Sequence, residues 1–172
     1  MTKRGWLLFL ALGVIWGIPY LLIKVAVRDF PPAGVVFLRT AIGAAVLLPV
    51  VLARSNVRAL LPRWRPIVAF TVLEMAIPWL LLSDAERRVT SSLAGLFMAC
   101  VPFVGVVLSR LAGGHEALGA RRLAGLGVGL AGVVALLGLD VGGGDALAIA
   151  ELAVVAFGYA YAPRIVARSL AD

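Results

Sequence analysis

Two ionisable residues stand inside long apolar runs of this 172-residue chain: Arg39, within PPAGVVFLRTAIGAAVLLPV, and Glu74, within TVLEMAIPWLLL. Burying either charge alone at the centre of a bilayer costs roughly 2.5 to 3.5 kcal/mol on insertion scales, so both must face protein or water. A direct or water-mediated pair lowers both costs. Such a pair could bind a charged substrate, couple to protons, or only fix helix packing, and the residue types leave all three open. Lys24 and Arg28 close the first apolar run, where long side chains snorkel to the headgroups; Lys24 can equally line a cavity. Glu151 opens the last apolar run, where it can face the same cavity or stay solvated at the interface. Trp16 and Tyr20 share a helical face at i, i+4 beside Gly17 and Pro19, where a helix can bend, and are candidates to line a cavity. Trp79, Tyr159 and Tyr161 have the default explanation of membrane aromatics, anchoring at the interface, as do Trp6 and Trp64.

Hydrolytic or metal chemistry finds no such footing. His115 is the single histidine, its neighbour Glu116 lies in a loop, and there is no HExxH spacing and no GxSxG elbow. No catalytic residue, metal site or cofactor is therefore assigned. Glu116 fits a salt bridge to Arg121 or Arg122 better than an active site. Cys100, the one cysteine, lies in an apolar run and reads as a small packing residue.

The elements that must position these residues follow from composition. Hydrophobic residues make up 62% of the chain and charged ones 15%, with a mean hydropathy of +1.04. Apolar runs of about 20 residues recur, each long enough to span a bilayer as a helix. They fall at roughly 5 to 27, 33 to 53, 66 to 82, 91 to 111, 123 to 139 and 146 to 166. Strands are excluded, since a membrane strand needs only about 10 alternating residues. The expectation is an all-α, polytopic membrane protein of six spans whose first partner is the lipid bilayer. The net charge of +7 is spread in short clusters between the runs, a topology signal rather than a nucleic-acid face. Arg54, Arg58, Arg63 and Arg65, then Arg110, Arg121 and Arg122, and finally Arg168 fall on one side, which places the N-terminus in the cytoplasm of a cell (plasma or inner) membrane. The outer loops are expected to hold Arg28, Arg87 and Arg88, offset by Asp29, Asp84, Glu86, Asp140 and Asp145. Prolines 19, 49, 78, 102 and 163 lie inside spans, where each removes a backbone donor and tends to kink its helix. Gly125, Gly129 and Val133 form a small-residue row suited to close helix packing or dimerisation.

Shifting the sequence by 141 residues sets Val14, Gly17, Tyr20, Val25 and Ala26 on Val155, Gly158, Tyr161, Val166 and Ala167. A repeat unit of five helices is odd, so a second copy starts on the opposite face of the membrane, the inverted-repeat architecture of many secondary transporters.

Four stretches carry a family resemblance: Trp16-Gly17 followed by a lysine at the end of the first span; Pro31-Pro32 with Leu38-Arg39; RRVTSSLAGLFMACVPFVGVVLSRL with its internal Pro102; and GGHEALGARRLAGLGVGLAGVVALLG, where Glu116 precedes a glycine-rich span. In order and spacing they resemble an EamA-type member of the drug/metabolite transporter superfamily. The resemblance implies ten helices in two inverted five-helix repeats around a central cavity, so that residues 1–140 form a first repeat and 141–172 the first helix of a truncated second. It implies export or uptake of small metabolites through that cavity; the expectation is a secondary transporter, an exporter of small metabolites or drugs, working by alternating access, with Glu74 or Glu151 as candidate proton carriers. The chain stops after helix six, which reads as a fragment whose missing half, or a homodimer, completes the pathway. The rival readings are a non-transporting membrane partner or scaffold and, third, a membrane enzyme.

Overall fold

Each long apolar run folds as helix because hydrocarbon offers no water to satisfy backbone amides, and a helix pairs them internally. The computed structural model describes residues 2–54, 61–113, 119–140 and 145–169, and among these no strand occurs. Helix α1 spans Lys3–Ala26, its first turn capped by Thr2, whose hydroxyl oxygen accepts from the Gly5 N–H at 3.2 Å. Helix α2 spans Pro32–Arg54; a proline costs nothing at a first helical position, where its N–H would be unpaired anyway.

The next two spans are broken, and proline explains where. The third consists of α3, Trp64–Thr71, one wide π-helical turn, Val72–Ala76, and α4, Ile77–Arg88. Pro78 has no N–H to give the carbonyl four residues back, which is that of Glu74, so the ladder widens there. In the fourth span Pro102 likewise leaves the Met98 carbonyl without its donor. Helix α5, Ser91–Met98, ends at that residue, two tighter turns follow through Ala99 and Cys100, and α6 runs Val101–Leu111. Pro19, Pro49 and Pro163 stay inside α1, α2 and α8. Helix α7 is Ala120–Asp140 and α8 is Ala146–Ser169. At the start of α8 the Asp145 carboxylate accepts from the Leu147 N–H at 2.9 Å.

Five helical stretches are long and apolar enough to cross a membrane: Lys3–Ala26, Pro32–Arg54, Leu61–Arg88, Ser91–Leu111 and Ala146–Ser169. The run expected at 123–139 is helical within α7. The chain is thus a polytopic helical membrane protein. One boundary differs from expectation. The third span continues past residue 82 to Arg88, so Asp84, Glu86 and Arg88, expected in an outer loop, occupy the last turns of α4. Ion pairs and burial, described below, let those turns stay helical.

Helix α8 is the hub: α3, the π turn, α4, α5 and α6 all pack on it. Gly158 makes the closest approach possible, because a Cβ there would stand 2.6 Å from the Leu73 carbonyl oxygen. The core gathers at one end of the bundle: Ile23 and Val27 from the end of α1, Leu82, Ala85 and Val89 from that of α4, Leu93 and Ala94 from the start of α5, and Ala148, Leu152 and Val155 from the start of α8. The expected cytoplasmic N-terminus would make this the outer end. Helix α2 has no buried residue, and most of its large apolar side chains and of those of α1 are exposed, a surface that suits lipid rather than water.

Candidate functional site

Below the packed end, α1, α2, the third and fourth spans and α8 line two adjoining cavities. The larger, about 340 Å³, is lined by Trp16, Tyr20, Glu74, Met98, Val101, Pro102 and Tyr159. The smaller, about 190 Å³, shares Trp16, Glu74 and Tyr159 and adds Arg39, Phe70, Met75 and Trp79. A third hollow of about 290 Å³ lies between α1 and α2, with Arg39 on its wall. Thus Trp16, Tyr20, Arg39 and Glu74, singled out in the sequence, come together around one space.

The wide turn at Val72–Ala76 places Glu74 on the cavity wall. One of its carboxylate oxygens, Oε2, is buried without a hydrogen-bond partner. Arg39 does not pair with it: the guanidinium carbon stands 3.9 Å from the centre of the Trp79 ring, in cation–π contact. No ion pair joins Arg39 to Glu74 among the described residues. Arg39 and Glu74 therefore line one aromatic-walled space with no ion pair between them.

Lys24 and Glu151 lie elsewhere. The Lys24 ammonium donates to the carbonyl oxygens of Glu86 at 2.5 Å and Val89 at 2.7 Å, capping the C-terminal end of α4. Glu151 accepts from Arg88, which also pairs with Asp84 at 2.6 Å and with Asp145 at 2.9 Å. This cluster ties α4 to the start of α8 at the sealed end. Neither Lys24 nor Glu151 lines the two aromatic cavities.

Sequence reasoning passed over three residues. Trp79 and Tyr159 read as interface anchors but wall the cavity; Tyr161, which the 141-residue shift aligned with Tyr20, instead stacks on Phe157 with ring centres 5.9 Å apart. Which of two nearby tyrosines faces the cavity depends on the rotation of α8, which its weakly amphipathic sequence does not reveal. Glu86 is the third. It is fully buried and neither carboxylate oxygen has a hydrogen-bond partner, a place that nothing in DAERR distinguishes from a charged loop. His115 and Glu116, with Arg58, lie outside the described residues. Among the described residues no group of three or more His, Cys, Asp or Glu side chains is arranged to hold a metal ion. Cys100 is half-buried and unbonded to other sulfur.

A bundle of apolar helices, two of them broken, around a cavity lined by Arg39 and Glu74 fits a membrane transport protein. The chain belongs to the EamA-like transporter family, whose pattern matches residues 3–138. It is similar to the "uncharacterized inner membrane transporter YedA" of Escherichia coli strain K12, at 34% identity over 135 residues, covering 73% of this chain and 41% of that protein. The YedA proteins of Escherichia coli O6:H1 and O157:H7 match to the same extent. The chain thus spans 41% of the length of the curated relatives it matches. No solved structure matches it.

Proposed function

We propose that this chain forms the solute-binding part of a secondary transporter in a cell membrane, moving a small solute that carries both a positive and a negative group. The observation that carries the reading is the unpaired opposition of Arg39 and Glu74 across one aromatic cavity. A zwitterion satisfies both charges at once, and Trp16, Trp79 and Tyr159 offer apolar or aromatic faces to the rest of it.

The domain reading supports the same conclusion. Residues 1–140 act as one five-helix repeat and 141–172 as the opening helix of an inverted second, so the cavity, walled by α1 and α8 together, lies where the two repeats meet. A second half or a second copy completes the pathway. A Cβ at Gly125 or Gly132 of α7, which share one side of the helix, would meet nothing within 4 Å, so that side is open to another helix. The packed outer end and the cavity beneath it fit loading from the cytoplasmic side, with the N-terminus inside, as an exporter requires. Alternating access then consists of opening the outer cluster while the inner ends close, with proton movement as the driving step. No catalysis is assigned to the chain.

Counterflow in proteoliposomes tests the reading, run on this chain together with the second half or second copy that completes the pathway. L-Leucine and L-phenylalanine loaded inside should accelerate uptake of the radiolabelled amino acid, and Arg39→Ala with Glu74→Gln should abolish the exchange. Exchange that survives the double substitution would place the solute elsewhere, and its absence for every zwitterion tried, with the protein folded, would favour a non-transporting partner.

A further inference from the structure

Glu86 has no part in the cavity, yet it is the most completely enclosed charged residue described. Its side chain is wholly buried and both carboxylate oxygens lack a hydrogen-bond donor. It sits in the last turns of α4, a helix packed on α1, α2, α5, α8 and the π turn, which carries Glu74. The groups that these elements bring can be named. Helix α1 supplies Lys24 and Tyr20, both in electrostatic range of Glu86. Arg39 comes from α2, Glu151 and Tyr159 come from α8, and α5 has no charged residue. On α4 itself stand Asp84, Arg87 and Arg88. Arg39 is engaged with Trp79, while Glu151, Asp84 and Arg88 are engaged with one another. Lys24 holds two backbone oxygens, one of them belonging to Glu86 itself.

The arrangement has an alternative partner already in place. With a proton on the carboxyl, Glu86 is neutral and its burial costs least. With the proton gone, the charge requires a counter-ion and hydrogen-bond donors, and the Lys24 ammonium stands on the backbone of the same residue. An ammonium has three donors and Lys24 spends two on the α4 carbonyls, so one is free for the carboxylate, and Lys24 gives that charge a second only by releasing a carbonyl it now caps. The exchange of one bond set for the other would loosen the contact between the end of α1 and the link from α4 to α5, within the packed outer end.

The geometry points to Glu86 as the proton-binding residue of this protein, taking up and releasing one proton while Lys24 alternates between the end of α4 and the Glu86 carboxylate. In the step, the carboxylate gains a proton from solvent to become a carboxylic acid, and Lys24 keeps all of its own. This assigns to Glu86 the role that sequence reasoning offered to Glu74 or Glu151. It rests on the transporter reading for its use, though not for its detection.

Infrared difference spectroscopy of the purified chain in nanodiscs, between low and high pH, reads the C=O band of a protonated carboxyl directly. The wild type should show a band from a buried carboxyl that disappears as pH rises. Glu74→Gln and Glu151→Gln should keep it, Glu86→Gln should lack it, and Glu86→Asp, which retains a carboxyl on a shorter stem, should shift its frequency. A band unchanged in both Glu86→Gln and Glu86→Asp, or lost in Glu74→Gln, would overturn the proposal. Leucine counterflow on the same preparations separates the two claims. Exchange in Glu86→Gln that has lost the pH dependence of the wild type supports both; exchange with its pH dependence intact rejects the role of Glu86 and leaves the transporter reading standing. A Glu86 band without any exchange in the wild type supports proton binding while counting against transport.

Discussion

Arg39 rests on an indole, and Glu74, on the wall of the same cavity, has one buried oxygen without a hydrogen-bond partner; among the described residues neither side chain has an ion-pair partner. Each charge-assisted hydrogen bond to a ligand contributes about 1.5 to 3 kcal/mol. Removing either side chain should therefore weaken zwitterion binding roughly 10- to 100-fold, which isothermal titration of the detergent-solubilised protein would measure. Trp79→Leu should weaken it less, by removing the surface that holds the guanidinium in place. Arg39, Glu74, Trp16 and Tyr20 were legible in the sequence because a charge in an apolar run, or an aromatic pair beside Gly17 and Pro19, is an outlier against its surroundings. Lys24 was legible as a residue at the end of α1 but not as a cap on α4, since its partners are backbone oxygens more than 60 positions away. Glu86 was illegible because Asp84, Arg87 and Arg88 surround it, and a cluster of charges reads as solvated loop.

Among the elements, the spans were legible from hydropathy, whereas proline accounts for their breaks only once the breaks are seen. Pro78 and Pro102 each deprive one particular carbonyl, and the π turn at Val72–Ala76 and the end of α5 at Met98 fall at those carbonyls. The sequence does not say whether a membrane proline breaks its helix: Pro19, Pro49 and Pro163 leave theirs continuous. That outcome depends on neighbours able to satisfy the freed oxygen. Gly158 gives the sharpest test at this scale. Its added methyl would meet backbone at 2.6 Å, whereas Gly17, its counterpart in the 141-residue shift, has nothing within 4 Å. Gly158→Ala should destabilise the protein by about 1 to 3 kcal/mol through overpacking, while Gly17→Ala should be neutral or stabilising by up to about 1 kcal/mol through helix propensity. Thermal unfolding in one detergent, with both variants side by side, checks the contrast.

Across the whole molecule, the sealed end is the counterpart of the cavity. Arg88 joins Asp84, Asp145 and Glu151, and the buried side chains of α1, α4, α5 and α8 lie beside that network. The order of helices and their alternating direction could be read from run lengths and loop charges. Convergence on α8 could not, because its weakly amphipathic sequence shows no preferred packing face. Arg88→Leu should cost about 1 to 3 kcal/mol of stability by leaving its acidic partners unpaired, and should raise labelling of a Leu152→Cys reporter by a membrane-impermeant maleimide. Unchanged labelling would mean that apolar packing alone closes the outer end.

The claim that Arg39 and Glu74 together hold a doubly charged solute is tested most directly by titrating tryptophan fluorescence with three compounds of one carbon skeleton: L-leucine, 3-methylbutylamine, which lacks its carboxylate, and 4-methylpentanoate, which lacks its amine. L-Leucine should bind more tightly than either analogue by roughly 10- to 100-fold, with Arg39→Ala erasing its advantage over the amine and Glu74→Gln its advantage over the acid. Equal binding of all three, or an order that both substitutions leave untouched, would contradict the account.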